Sequence, residues 1–373
     1  MTSNPGGLPS VTELQLGNAA RRRLDRQDHT SSYTDLSRRV RLDGLLERTR
    51  RFYYLIFGML MVALCAAIAG FVLLGHSWLQ LLIAGALGII FTQLAFLAHE
   101  AAHRQIFRNN QANDRIGRVI GTGLVGISYS WWMSKHSRHH ANPNRIGKDP
   151  DIDGEALAFY PEKAQGLKGI RAVLARKQGY LFFPLLILEG INLHVASVRS
   201  LLTRGRGAKP GRWVELGLLA GRFALYLGAV FWVLPVGMAF AFLGVQLAIF
   251  GLYMGGTFAP NHKGMPIISA TVKLDFFDRQ VRTSRNIAGR FWPTVLMGGL
   301  NYQIEHHLFP SMPRPHLAKA RLLVRQYCEE RNVPYTEVSL AASYGSVINY
   351  LNRVGLGARD PFDCPVAAQL GRD

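Results

Sequence analysis

Four long apolar runs constrain this chain more than anything else in it. Trp78–Ala98 is 21 residues without a charge, and at about 1.5 Å per residue a helix of that length covers about 31 Å, the depth of a bilayer's hydrocarbon. Tyr53–Gly75 and Val236–Phe258 are also uncharged, and Leu216–Leu234 carries only Arg222. Within a bilayer such runs must satisfy their own backbone groups, which makes them helices. Only Gly75, His76 and Ser77 separate the first two runs and only Pro235 the last two, so they pair as hairpins. Neither hairpin turn carries Lys or Arg, whereas Arg50 and Arg51 lead into the first run and Arg199, Arg204, Arg206, Lys209 and Arg212 precede the third. Basic residues stay on the cytoplasmic side, so both termini are expected there. The implied fold is all-α: an integral membrane protein with four spans (about 53–75, 78–98, 216–234 and 236–258) and a cytosolic helical cap.

The chain of 373 residues is 49% hydrophobic and carries a formal charge of +19. A plain soluble enzyme is excluded, because the apolar residues fall in runs and not on amphipathic faces. Basic excess often signals nucleic acid. Here Lys and Arg flank the apolar runs, so anionic lipid headgroups are the expected partner and nucleic acid is not. Cys65, Cys328 and Cys364 are isolated and give neither a disulfide framework nor a zinc ribbon. The first apolar run begins only near Phe52, so no cleavable signal peptide is expected.

Residues 1–32 are polar and read as a disordered tail, and 341–373 as a loosely structured cytosolic tail, around a membrane domain at 33–340. Leu36, Val40, Leu42, Leu45 and Leu46 recur at helical spacing among arginines, which suits a helix on the membrane surface or one packed on the protein's own cytosolic part. Ile116–Trp132 is Gly-rich and ends in two tryptophans, as an interfacial helix would. Residues 315–333 read as an amphipathic cytosolic helix. Arg222 is expected to snorkel or to find an internal partner. Asp149, Asp151 and Asp153 invite comparison with a calcium loop, but Tyr160 stands where the bidentate Glu belongs. Asp149 and Asp151 fit better as groups orienting neighbouring ligands, or as a solvated turn.

Seven of the twelve histidines stand in three short clusters: His99 and His103; His136, His139 and His140; His306 and His307, with Gln303 one turn before the last pair. Helical i,i+3 and i,i+4 spacing places such residues on one face, and neutral imidazole suits iron, zinc, copper or nickel. The second apolar run leads directly into His99. The fourth ends at Asn261 and His262, at the same membrane level. These donors exceed what one metal takes, so two metals are implied. Tyr180–Val198 is apolar enough to cross but contains Pro184, Glu189, Asn192 and His194. A crossing there would put the third cluster on the opposite side of the membrane from the first two, so the segment is expected in the interface or the cap.

The ordered set HxxxH, HxxHH and QxxHH, closed by His306-His307-Leu308-Phe309-Pro310 among apolar runs, resembles the integral-membrane fatty acid desaturase family over roughly residues 35–340. The Gln at the head of the third box is similar to the branch that includes front-end acyl desaturases. The resemblance implies a pair of iron ions held by His99, His103, His136, His139, His140, His306 and His307, with His262 as an added ligand. Gln303 and Asn261 would act as ligands directly or through water, and Glu100 and Glu305 would orient ligands. It implies O2 as co-substrate, a fatty acyl substrate carried by CoA or lipid, and insertion of a cis double bond. A separate ferredoxin, cytochrome b5 or reductase would supply electrons, since no His-Pro-Gly-Gly motif occurs in the sequence. The expected location is a bacterial cytoplasmic membrane. Lipid or alkane hydroxylation and carotenoid oxygenation use the same scaffold and stand as alternatives. A metal transporter stands further off, because the histidines cluster at helix ends on one side.

Overall fold

The computed structural model describes residues 29–154, 157–203 and 211–357. The expected N-terminal tail falls outside them through residue 28, as do residues 358–373 and the loop cations Arg204, Arg206 and Lys209. In order the elements are α1 (His29–Leu42), α2 (Arg50–Leu74), α3 (Gln80–Ala102), α4 (Asn110–Arg118), a π-helical turn (Val119–Val125), α5 (Tyr129–Ala141), α6 (Pro161–Gln165), α7 (Ile170–Ala175), α8 (Gln178–Leu186) and α9 (Glu189–Leu202). They continue with α10 (Arg212–Val233), α11 (Val236–His262), α12 (Phe276–Arg282), β1 (Asn286–Ile287), α13 (Phe291–Leu296), α14 (Gln303–Leu308), α15 (Arg314–Glu330), β2 (Glu337–Val338) and α16 (Leu340–Leu356). β1 and β2 pair in parallel, Asn286 opposite Glu337.

The four long apolar helices are α2, α3, α10 and α11. The first hairpin closes on Gln80, whose buried Nε2 donates to Phe71 O (2.6 Å) and Gly75 O (3.0 Å), answering carbonyls that the end of α2 leaves open. The helices divide into an inner and an outer pair. Only 11% of the most apolar window of α2, and of α10, is buried, against 56% for α3 and 33% for α11. α3 and α11 meet closely at Gly88, where a Cβ would come within 2.9 Å of Gln246 O. The inner pair is thus the more buried axis, and each of its helices carries histidine at its end, α3 with His99 in its last turn and α11 closing on His262.

Some connecting segments differ from the sequence reading and others decide between its alternatives. Ile116–Trp132 is three pieces and not one interfacial helix: α4, the π-helical turn and the start of α5, broken at Gly126 (φ 93°) and capped by Ser128, which accepts from Trp131 N. Ile120 and Val125 of the turn are buried. Residues 180–198 form no straight rod, because α8 and α9 are bent by 71° to each other. Pro184 lies inside α8. α9 crosses α11 where Gly190 faces Leu247 O and Gly251 faces Leu186 O, each too close to admit a Cβ. α1 packs on the protein itself: Leu36 and Val40 are fully buried in a core with Phe277, Leu308, Val324 and Tyr327. Residues 340–356, read as part of a loose tail, form α16. Its Val347 and Leu351 join Phe159, Phe182 and Leu186 in a separate core, so apolar burial holds this stretch in the body.

Candidate metal centre

The carboxyl-terminal end of α3, the whole of α5 and the short α14 bring their histidines to one place, and α11 adds His262. Two groups result. His99, His103, His136, His140 and His306 have ligand nitrogens within 4.8 Å of one another, and so do His139, His262 and His307. Helical spacing does this work. On α5, His136 and His140 share one face and enter the first group, while His139 points to the second. On α14, adjacent His306 and His307 divide between the two groups.

In the three-histidine group every Nδ1 is engaged. His139 Nδ1 donates to both oxygens of Asp149 (3.0 Å each), His262 Nδ1 to Thr283 O (2.9 Å) and His307 Nδ1 to Gln280 Oε1 (2.9 Å). Such bonds fix the tautomer and put a lone pair on each Nε2; that of His262 accepts from the Gln303 amide at 2.8 Å. His139 Nε2 and His262 Nε2 stand 3.3 Å apart. In the five-histidine group the rings face each other. His136 Nε2 lies 3.1 Å from His99 Nε2 and 2.8 Å from His103 Nε2, and Trp132 stacks on the His136 ring at 4.2 Å. Both nitrogens of His140, and Nε2 of His306 and His307, are buried with no hydrogen-bond partner. Buried polar atoms are rarely left so. Four orphan nitrogens among converging lone pairs fit a site built for metal ions.

Burial first, and neighbouring histidines second, push His136, His140, His306 and His307 well below the usual imidazole value, so all four are neutral and able to ligate. His139 is the exception. Burial opposes its charge, but Asp149 and Asp151 outweigh that and raise it.

The remaining expected residues fall close by. Asp149 also accepts from Asn144 N and Asp151 N, and Asp151 pairs with Lys135 at 2.8 Å; both carboxylates stand beside His139 Nδ1, at 3.0 and 3.4 Å, with ligand atoms close enough to form a third group with it. Gln303 Nε2 lies 2.8 Å from His262 Nε2, while its oxygen accepts from Asn261 (3.1 Å), whose amide nitrogen is held by Thr257 O and Leu300 O. Gln303 therefore turns its NH2, not its oxygen, toward the histidines. Glu100 forms a buried bidentate pair with Arg314 (2.7 Å on each oxygen). Glu305 accepts from Asn286 (2.7 Å) and Tyr335 (2.8 Å), and burial pushes its carboxyl up to about 7 against those bonds. Gln280, Thr283, Asn286 and Arg314 carried no motif and escaped the sequence reading, and Trp132 was read only as the mark of an interfacial helix. Arg222 has its internal partner, Leu124 O, at 2.7 Å. Beside His99 lies a small cavity of about 40 Å³ lined by Ala95, Trp132, Met254 and Phe258.

A family model described as fatty acid desaturase matches residues 76–339. Among curated proteins the chain is similar to a Delta(8)-fatty-acid desaturase of Helianthus annuus, 28% identical over 89% of this chain and 75% of that one. It is also similar to a Delta(5) fatty acid desaturase of Caenorhabditis elegans (30% identical, covering 82% and 69%) and a Delta 8-(E)-sphingolipid desaturase of Kluyveromyces lactis (28%, covering 79% and 54%). The chain thus spans between about half and three quarters of these relatives' lengths. All three are eukaryotic and lend no support to a bacterial setting. With the match running from the first hairpin turn to β2, across every histidine of the cluster, the chain belongs to the fatty acid desaturase family.

Proposed function

We propose that this protein inserts a cis double bond into a fatty acyl chain, using O2 and a pair of iron ions held by the eight clustered histidines. Two hydrogens leave adjacent methylenes. With two electrons and two protons from a donor protein they reduce one O2 to two waters. Bound iron supplies the O2 chemistry that an unactivated C–H bond demands, which zinc, lacking redox chemistry, does not. His99, His103, His136, His140 and His306 hold one ion, and His139, His262 and His307 the other. Asp149, Thr283 and Gln280 hold the second set of rings in the ligating tautomer. Gln303, whose NH2 meets His262 Nε2 at 2.8 Å, gives up that bond when His262 ligates. The narrow cavity at His99, walled by Trp132 and Phe258, keeps the reacting methylenes dry and close to the ions. The convergence of eight imidazoles, four of their nitrogens buried and unpartnered, carries this reading. The centre faces the cytoplasm, since the hairpin turns lack Lys and Arg while Arg50, Arg51 and Arg212 begin the outer helices.

The test is a lipid profile. Wild type and His306→Ala are expressed in a host supplied with a compatible reductase, and fatty acids and long-chain bases are analysed by gas chromatography–mass spectrometry. A new unsaturated species only with wild type is expected, and the bond position names the regiochemistry. A hydroxylated product would transfer the reading to the sister reaction. An iron-free wild-type protein with unchanged lipids would end it.

A further inference from the structure

A second, larger cavity lies on the lipid-facing side, away from the histidines. It holds about 560 Å³ and runs along α10 from Gly217 past Gly221 to Val230, a rise of about 20 Å, with Phe71, Phe91 and Phe242 in its walls. Leu124 of the π-helical turn and Phe91 stand at this cavity and not at the one beside His99. Its lining is apolar except for Arg222 and the hydroxyl of Tyr226. Arg222 Nε is bound to Leu124 O, and its guanidinium carbon stands 4.1 Å from the Tyr226 ring centre and 4.9 Å from that of Phe91. Among the described residues its two terminal nitrogens have no hydrogen-bond partner and no carboxylate pairs with it. Arg222 stands part-way along the trench, between Gly217 and Val230, and the apolar floor continues beyond it toward Val230.

We propose that this trench binds a long-chain fatty acid as its anion. The carboxylate meets the free fork of Arg222 and the chain lies along α10 toward Val230. A guanidinium with two parallel N–H donors is matched to a carboxylate, and a slot of this volume and shape suits one chain better than two. The glycines make the floor: a Cβ at Gly217 or Gly221 meets nothing within 4 Å. The site is separate from the reacting one and does not depend on the reaction proposed above.

The experiment uses the full chain in lipid nanodiscs, a fatty acid carrying a diazirine near its methyl end, and peptide mapping after irradiation. Label is expected on the α10 segment around Val230 and on α11 around Phe242. Arg222→Gln should raise the concentration needed for half-labelling about tenfold. Gly221→Leu should fill the trench and abolish labelling while iron content and elution volume stay as in wild type. Three results would overturn the proposal: labelling unchanged by both variants, equal labelling by the matching diazirine alcohol, or displacement by an anionic phospholipid at the concentration at which unlabelled fatty acid displaces.

Discussion

The two histidine groups are held by different means. In the group of His139, His262 and His307 each ring is fixed by a hydrogen bond from Nδ1, to a carboxylate, a backbone carbonyl and an amide oxygen respectively. In the group of five, His140 has neither nitrogen bonded and His136 is oriented by stacking on Trp132 and by its neighbours. The smaller group is organised before metal arrives. The larger one depends on the frame around it, above all the end of α3, where Glu100 adjoins His99 and is clamped to Arg314. On the proposed ligand sets, fewer ligands are offset by tighter orientation, and more ligands tolerate looser rings.

The contrast is most sharply broken at the frame. Arg314→Met leaves Glu100 buried without its partner, and losing one side of such a pair costs about 3–5 kcal/mol. Thermal unfolding should show a severely destabilised protein, with Glu100→Gln/Arg314→Met restoring part of the loss. Equal stability of the single and double variants would mean that the pair does not hold α3 in place. Next in size is Asp149→Ala, which frees His139. Loss of a group that orients a metal-bound histidine lowers affinity about 10–100-fold. Chelator titration followed by iron analysis should show half of the bound metal leaving early and half as in wild type.

Proton competition should separate the groups as well. His136, His140 and His306 titrate well below the usual imidazole value, so protons do not contest the larger group until the medium is strongly acid. His139 is raised above that value, so a proton contests its Nε2 from a higher pH downward. Below that point the affinity of the smaller group falls about tenfold per pH unit. Iron release on acidification should come in two steps, the smaller group first. The metal-free protein follows a related rule. Buried neutral histidines with depressed values contribute stability that is lost as pH falls below the unfolded value near 6.5, about 1.4 kcal/mol per unit for each group at most. His139 has the opposite sign: its stabilisation is full below the unfolded value and is lost as pH rises through its raised one. A single-step release would show the two groups to be equivalent toward protons.

Much of the fold was legible because membrane burial writes itself in long runs: α2, α3, α10 and α11 all match apolar stretches, and three histidine clusters at helical spacing marked the site. Less legible was anything set by contacts between distant segments. α1 could have lain on a membrane until Leu36 and Val40 met Phe277 and Tyr327. α16 carries ordinary amphipathic spacing, and only its packing on Phe182 and Phe159 places it in the body. Gln280 and Thr283 sit in a short helix and its cap, with no motif, because a single acceptor aimed at a ring needs position and not sequence pattern. Gln303 was visible as a departure, yet which end of its amide faces His262 follows from Thr257 O and Leu300 O, residues no spacing rule connects.

Gln280 gives the finest test, because it touches both groups. Its oxygen accepts from His307 Nδ1 and its nitrogen donates to His140 O, each at 2.9 Å. Gln280→Leu removes both bonds, and a net loss of about 1 kcal/mol per bond should lower metal retention about fivefold to tenfold in the smaller group. Gln280→Glu separates the two contacts. The carboxylate still accepts from His307, as Asp149 does from His139, but it no longer donates to His140 O. If the acceptor at His307 is what orders the smaller group, Gln280→Glu should keep its iron in the chelator titration while Gln280→Leu loses it. Equal loss in both variants would locate the effect in the bond to the α5 backbone, and the smaller group would then depend on the frame just as the larger one does.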